Sequence, residues 1–368
     1  MPIFIDMLKL LNNQKTLSEL ICLPKQKSKK MKSIKYLFLF LALLVSFTCA
    51  PDKLEIITVT GGISIKKMGK TLSHEHLLVD FIGADSTGYH RWNREEVIEK
   101  VLPYLEEIRK LNYKTLVDCT PAYLGRDPEL LKELSEKSGV QILTNTGYYS
   151  AYDGKYLPDH AFSETAEEIA QRWIDEAKNG IEGTDVHPGF IKIAVERAPL
   201  KPINKKIVEA ACIAHKATGL TIMSHTGPAL PAFQQMQILQ ENGIDASAFI
   251  WTHASDEQDF NKHLEAAKMG AFISFDKFTP EETNRYVEFV LFMKKHAMLH
   301  KVLFSHDAGW YKPGEPDGGE FRAFTDIENF LVPALEKAGV AQFDIFQIFF
   351  KNPVAAFRIG PRLLAEEE

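Results

Sequence analysis

The chain has 368 residues, of which 45% are hydrophobic and 25% are charged, and its formal net charge is −6. These proportions are those of a packed globular protein and exclude a disordered, collagen-like or coiled-coil chain. Because there is no surplus of basic side chains to neutralise a phosphate backbone, we expect no nucleic-acid partner.

The N-terminal segment carries the pattern of a signal peptide. Residues 36–47 form an uncharged apolar run, YLFLFLALLVSF, that follows a strongly basic stretch. The run is shorter than the roughly 20 residues that a transmembrane helix needs, and the order of basic, apolar and short polar segments is typical of a secretory signal. We therefore expect 31–49 to direct export, with Met31 as the true start and 1–30 as a misannotated or disordered upstream segment.

Cys49 directly follows the apolar run, where it resembles the acylated cysteine of bacterial lipoprotein signals. The three residues before it, Ser46, Phe47 and Thr48, fit the lipoprotein cleavage pattern poorly, so a signal cleaved nearby with an unmodified Cys49 stays open as the alternative. We expect an exported protein that is either periplasmic or held at a membrane by a lipid on Cys49.

From residue 70 onward, short β-like runs alternate with segments of helical periodicity. The runs cover 71–80, 115–121, 141–149, 190–195, 220–226, 249–254, 271–276 and 302–307. The helical segments between them include 94–111, 127–139, 162–179, 203–218, 256–269 and 280–297. Eight such units predict an α/β fold, a (β/α)8 TIM barrel over 55–360 with a polar tail at 361–368. A doubly wound sheet is the competitor, but no GxGxxG motif opens a helix after a strand.

Six unusual polar residues stand within five of the runs: His74, His76, Lys192, His225, His253 and Asp307. In a barrel the carboxyl ends of the strands surround one mouth, which carries the active site. These side chains are therefore expected to converge there. His74 and His76 are two positions apart and point to the same face of a strand, so their imidazoles favour a metal site.

Lys192 lies within an apolar strand, where a buried ammonium is costly unless it is paired or loses its charge. One interpretation is an ion pair with a barrel carboxylate, for example Glu196 or Asp118. The other is a neutral amine that captures CO2, so that the carbamate oxygens bridge two metal ions. Asp307 then has two roles, because its carboxylate can ligate a metal and also take a proton from a bridging hydroxide.

This constellation is the pattern of the amidohydrolase superfamily. With GFIK, SHT, WTHAS and SHDAGW alongside, the chain resembles bacterial members of the phosphotriesterase family over roughly 55–360. The resemblance implies that His74, His76 and Asp307 hold one metal ion and that Asp307 is catalytic.

The same resemblance implies that His225 and His253 hold a second metal ion, with Lys192 as an N6-carboxylysine bridging the two. Zinc is the expected ion, two per chain, because imidazole-rich sites suit it. Cobalt, manganese or iron are alternatives. The carbamate on Lys192 derives from CO2.

Aromatic residues just beyond the strand ends are candidates for the wall of a substrate pocket, with packing over the barrel rim as the alternative: Tyr123, Tyr148, Tyr149, Phe278 and Trp310. The Gly- and Pro-rich segment 305–324 is expected to be a lid or specificity loop. Arg322 either anchors this loop or meets a substrate carboxylate.

Asp276 and Lys277 follow the seventh run, and we expect Asp276 to accept a hydrogen bond from a ligand imidazole. Cys119 and Cys212 are expected to be small buried hydrophobes. Seven further histidines have no strand-end context and are expected to be structural or exposed: His90, His160, His187, His215, His263, His296 and His300.

The leading hypothesis is an exported hydrolase that cleaves a phosphotriester, lactone or carboxylic ester of a small molecule by attack of a metal-bridging hydroxide. A non-catalytic barrel receptor for a small ligand is one alternative. A mononuclear deaminase on the same scaffold, with one metal and no carbamate, is another. The sequence itself leaves a monomer and a homodimer both open, although barrels of the resembled family often pair.

Overall fold

The computed structural model describes residues 55–365. The predicted upstream segment 1–30, the predicted signal 31–49 with Cys49, and residues 366–368 of the polar tail lie outside the described residues. None of the helices in the described part combines the length and hydropathy that a transmembrane span requires.

All eight predicted strand runs contain a strand, and a hairpin precedes them. The hairpin pairs β1 (Glu55–Thr58) with β2 (Gly61–Ser64). The barrel strands are β3 (Lys70–Leu78), β4 (Tyr113–Asp118), β5 (Gln141–Leu143) with β6 (Asn145–Thr146), β7 (Phe190–Ala194), β8 (Ile222–His225), β9 (Phe249–Thr252), β10 (Phe272–Phe275) and β11 (Val302–Phe304). A short strand, β12 (Gly309–Tyr311), follows β11 and pairs with β3.

The strands form a closed parallel barrel. Pairing runs without a break from β6 through β11 and from β12 through β3 and β4 to β5. The two parts join at the third run, where only Thr144 separates β5 from β6. On the other side, Asp307 N donates to His74 O at 3.2 Å and His76 N donates to Ala308 O at 2.9 Å. The predicted (β/α)8 barrel is therefore confirmed.

Helices cover the outside of the barrel. They are α1 (Arg94–Lys110), α2 (Pro128–Ser138), α3 (His160–Ser163), α4 (Ala166–Asn179), α5 (Pro202–Thr218), α6 (Ala229–Glu241), α7 (Phe260–Met269), α8 (Thr283–Lys295), α9 (Val332–Lys337), α10 (Gln342–Phe346) and α11 (Asn352–Phe357). The sequence explains their ends: α2 begins at the side-chain cap of Asp127 with Pro128 in its first turn and ends at Gly139 in the left-handed region.

The two ends of the barrel differ in chemistry. The amino ends of the strands are closed by an apolar cluster to which the hairpin contributes Ile56, β7 contributes Phe190 and α11 contributes Phe357. The strand residues at the opposite, carboxyl ends include buried polar groups such as His74 and Lys192. Gly147 brings the third run close to the fourth, since its φ is +119° and a Cβ there would lie 2.1 Å from the Lys192 carbonyl oxygen.

Candidate metal centre

The six residues predicted as metal ligands lie around one cavity of about 270 Å³ at the carboxyl ends of the strands. β3 carries two of them, β7 and β8 carry one each, and the segments that follow β9 and β11 carry one each. All six line the cavity: His74, His76, Lys192, His225, His253 and Asp307. The barrel thus brings together side chains that are up to 233 positions apart in the sequence.

One group of ligand atoms consists of His74, His76 and Asp307. Asp307 Oδ1 lies 3.2 Å from His76 Nε2 and 3.6 Å from His74 Nε2. Three ligand atoms of this group lie within 4.8 Å of one another, which suits a single metal ion. Burial, the largest effect, and the nearby Lys192 lower the pKa of His74 to about 4, so its imidazole is neutral at pH 7 and able to coordinate.

A second group consists of His225 and His253. Their ring nitrogens Nδ1 and Nε2 face each other at 2.8 Å. Burial and the neighbouring imidazole of His253 hold the pKa of His225 well below its usual range. Two imidazoles therefore present nitrogens to the same part of the cavity.

Asp276, at the end of β10, orients one histidine of each group. Its Oδ2 accepts from His74 Nδ1 at 2.9 Å, and its Oδ1 accepts from His253 Nδ1 at 2.8 Å and from the His253 backbone at 3.0 Å. Burial raises its pKa, but the interactions with His253 and His74 outweigh burial and hold the pKa well below the usual range. Asp276 could be counted as a ligand from its distance to His74 and His253, but both its oxygens already accept Nδ1–H groups. Asp276 thus accepts the expected hydrogen bond from two predicted ligands, His74 and His253.

His76 is oriented from β4. Its Nδ1 lies 2.8 Å from Thr120 Oγ1. The buried Asp118 accepts from Thr120 N at 3.1 Å and from Leu77 N at 2.8 Å, which fixes the segment that carries Thr120. Hydrogen bonds at Nδ1 leave the Nε2 atoms of His74 and His76 directed at the cavity, the arrangement found around metal-binding histidines.

In the described part of the chain, Lys192 pairs with neither of the two carboxylates that the sequence suggested, Asp118 and Glu196. Asp118 accepts the backbone bonds just described, and Glu196 lies 3.7 Å from Lys201 Nζ and accepts from Asp153 N. The Lys192 side chain is 1% exposed, and its Nζ lies 3.4 Å from His74 Nε2. The ion-pair interpretation with these two carboxylates is therefore wrong, and the buried amine faces imidazoles instead.

The donor set fits a pair of divalent transition-metal ions. Neutral imidazole nitrogens and one carboxylate are the ligands that such ions prefer. The 2.8 Å approach of the ring nitrogens of His225 and His253 places them close enough to bind one ion together.

Aromatic residues wall the cavity, and they are only partly those predicted. Trp310 lines it, as do Tyr149, Tyr152, Tyr156 and Phe81. Tyr149 packs against His225 with ring centroids 5.0 Å apart. Burial raises the pKa of Tyr149 well above its usual range, so its hydroxyl keeps its proton.

The other predicted pocket aromatics lie elsewhere. Tyr148 bonds His160 Nε2 through its hydroxyl at 3.0 Å and packs edge-on against Trp173. Tyr123 lines a separate surface depression with Arg126 and Glu182. Both tyrosines follow the end of β6, and Tyr149 forms an isolated bridge with Ala194 and lines the cavity, whereas Tyr148 does not.

Phe278 is fully buried and packs against Tyr286 at 5.1 Å, so it belongs to the core and not to the cavity wall. Arg322 anchors its loop, since it donates to the carbonyl oxygens of His306, at 3.1 Å, and Phe278. Cys119 and Cys212 are both fully buried, as predicted.

Besides the cavity-wall residues Phe81, Tyr152 and Tyr156, the sequence analysis missed two buried titratable residues next to the predicted ligands. Glu75 lies between two predicted ligands and His306 directly precedes a third, and both are fully buried. Their position inside the HEH and SHD sequences was the available signal, because a charged or polar residue next to a ligand in a buried strand needs its own partner.

Comparison with known proteins identifies the family. The model of the phosphotriesterase family matches residues 54–357. The chain belongs to this family. It is 29% identical over 306 residues to the aryldialkylphosphatase of Saccharolobus solfataricus, and the alignment covers 80% of this chain and 96% of the relative. It is 26% identical over 343 residues to the N-acetyltaurine hydrolase of Tetraodon nigroviridis, and the alignment covers 81% of this chain and 96% of the relative.

Among solved structures, the organophosphorus hydrolase from Deinococcus radiodurans has a similar fold. The TM-score is 0.74 and the identity 25%, over 83% of this chain and 97% of that chain. The family resemblance inferred from the sequence is thus confirmed, and this phosphotriesterase-family protein has the fold and the His/Asp groups of a metal-dependent hydrolase.

Asp276→Asn tests the orienting role of that carboxylate in this phosphotriesterase-family protein. An amide can accept from one imidazole but presents NH2 to the other, so we expect metal affinity to fall by about 10- to 100-fold. Competition with a chromophoric chelator measures it. Asp256→Asn is the control, because the Asp256 side chain pairs with Arg197 and Lys277 and bonds neither imidazole. Equal affinities in the two variants would contradict the role.

Proposed function

We propose that this protein is a binuclear zinc hydrolase that cleaves an ester-type bond in a small, largely apolar substrate. The observation that carries the proposal is the convergence of six suitable side chains on one aromatic-walled cavity of about 270 Å³. Phosphotriesters, lactones and carboxylic esters are the substrate classes that the family membership supports.

His74, His76 and Asp307 would hold one ion, His225 and His253 the other, and a carboxylated Lys192 would bridge them. The chemistry that two bound ions supply is acidification of water, whose pKa falls towards about 7 beside zinc, and polarisation of the substrate oxygen.

Asp307 would hold the proton that leaves the attacking water. Its Oδ1 faces His76 and His74, whereas Oδ2 lies 3.8 Å from His253 Nδ1 and is the less engaged oxygen. Burial raises the pKa of Asp307, but the surrounding histidines His253, His74 and His76 outweigh it and keep the carboxylate ionised. An ionised carboxylate is the form that can accept a proton.

The walls of the cavity determine which substrates fit. Val79, Leu124 and the tyrosines around Tyr149 offer apolar surface to the substrate. Apart from Lys192, the cation at this cavity is Lys277, which is paired with Asp256 at 3.0 Å. This balance favours a neutral substrate over one with several negative charges.

An amide is the second candidate bond. The similarity to proteins named N-acetyltaurine hydrolase favours it, and Lys277 is the side chain placed to face an acidic group on such a substrate. The same machinery serves both bonds, because attack at a carbonyl carbon needs the same nucleophile and the same oxyanion stabilisation.

The zinc-loaded protein, prepared with bicarbonate, tests the proposal on a panel of lactones, aryl esters, an aryl phosphotriester and N-acetyltaurine. We expect Asp307→Asn to lower kcat by about 10²- to 10⁴-fold on the best substrate, because the proton acceptor is lost. Asp185→Asn, at a mostly exposed side chain, is the control.

The panel separates the alternatives. Turnover of N-acetyltaurine above every ester would make the amide the substrate. No turnover of any substrate, with tight small-ligand binding that Asp307→Asn leaves intact, would favour the receptor. One zinc per active chain would favour the mononuclear deaminase.

We also propose that the protein is exported and held at a membrane by a lipid on Cys49. The support is the basic and apolar order of the sequence before Cys49. The described barrel begins six residues later, at Glu55, whose carbonyl accepts from Ile359 N at the closed amino end.

Cys49→Ser tests this anchor. We expect the protein to move from the membrane fraction to the soluble exported fraction, because the acylated thiol is lost. Asp185→Asn, at a mostly exposed side chain of the barrel, is the control and is expected to stay in the membrane fraction. Wild-type protein that is soluble from the outset would contradict the anchor and leave Cys49 as an unmodified thiol.

A further inference from the structure

Glu75 is a buried carboxylate between two predicted ligands of the same strand. On β3, His74 and His76 face the cavity, and the residue between them faces the opposite side of the strand. Glu75 is 0% exposed. A carboxylate in such a place is costly unless several donors surround it.

The donors all come from the segment that carries Asp307. Glu75 Oε1 accepts from Ser305 Oγ at 2.8 Å, from His306 N at 3.0 Å and from His306 Nδ1 at 2.7 Å. Glu75 Oε2 accepts from Ala308 N at 2.9 Å. The backbone amides on both sides of Asp307 are therefore held by one carboxylate.

His306 completes the arrangement. Its Nε2 accepts from Ile327 N at 3.1 Å, so the proton of the neutral ring resides on Nδ1, which donates to Glu75. The segment is thus tied on one side to β3 and on the other to the turn that begins at Ile327. Ser305 Oγ adds a third tie, because it also accepts from His74 N at 2.9 Å.

Asp307 needs such support. Its φ is +53°, in the left-handed region that residues other than glycine seldom adopt. A backbone in this region relaxes unless its surroundings hold it. If it relaxed, the carboxylate would leave its place 3.2 Å from His76 Nε2.

We propose that Glu75 is a positioning residue for Asp307, so that one strand supplies two metal ligands and fixes the backbone of a third. This rests on the proposed metal centre for its functional meaning, whereas the position of Asp307 can be measured without metal. The competing explanation is that Glu75 only holds β3 against β11 and stabilises the barrel.

Glu75→Gln is the variant, because it keeps the shape and turns one acceptor oxygen into a donor group opposite an N–H. We expect cobalt titration of the metal-free protein, followed by visible absorption, to show one site weakened by at least about tenfold. Asp307→Asn should weaken the same site, and the double variant should bind no more weakly than Asp307→Asn alone, since the two residues act in series.

Asn352→Ala is the matched control. Asn352 is fully buried and holds the amino end of β11, because it donates to the carbonyl oxygens of Leu299, at 2.8 Å, and Val302, at 2.7 Å. We expect it to lower the melting temperature without changing either cobalt affinity. An equal loss of stability in Glu75→Gln with both affinities unchanged would show that Glu75 is only structural and would overturn the proposal.

A crystal structure of metal-free Glu75→Gln is the second readout. We expect residue 307 to leave the left-handed region and its carboxylate to separate from His76. An unchanged residue 307 would overturn the proposal. If wild-type protein bound no cobalt, the proposed metal centre would fail, and this structure would still decide the role of Glu75.

If Glu75→Gln did not fold, His306→Gln would replace it. This variant removes the imidazole with its bonds to Glu75 and Ile327 but leaves the two backbone amides on the carboxylate, so we expect a smaller displacement of Asp307 and a smaller loss of cobalt affinity in the same site. Unchanged geometry and affinity in that variant would count against the arrangement.

Discussion

The closure of the barrel between β3 and the segment after β11 is the constraint on which the site depends. Backbone hydrogen bonds from Asp307 N to His74 O and from His76 N to Ala308 O make the first and eighth strands neighbours. In an open sheet these strands would be edges far from each other, and Asp307 could not lie 3.2 Å from His76. The side chains that form this seam therefore determine both the fold and the metal centre.

Burial determines the charges at the mouth. It is the main reason that the pKa of His74 falls to about 4 and that of His225 falls well below its usual range, so both imidazoles are neutral. Asp276 and Asp307 stay ionised because histidines surround them. The neutral imidazoles of His74 and His225 beside the ionised carboxylates form a site whose electrostatics favour bound cations.

The sequence predicted the strands and the gathering of the ligands because both follow from patterns along the chain. Strand ends in a parallel barrel meet at one mouth, so six separated residues could be placed together without coordinates. The cavity wall was harder to predict. Tyr148 and Tyr149 are neighbours just beyond β6, and the sequence does not show that only Tyr149 lines the cavity. The partners of Glu75 could not be predicted, because Ser305 and Ala308 are neighbours of Glu75 only through the closure of the barrel.

The most direct test of the metal centre is ¹³C NMR of protein loaded with zinc and ¹³C-bicarbonate, with the zinc content of the same sample measured by mass spectrometry. The account predicts a carbamate resonance, its absence in Lys192→Met, and two zinc ions per wild-type chain. A single zinc ion with no carbamate resonance would contradict it, because Lys192 would then be an unmodified buried amine and the two groups of ligands would not act as one binuclear site.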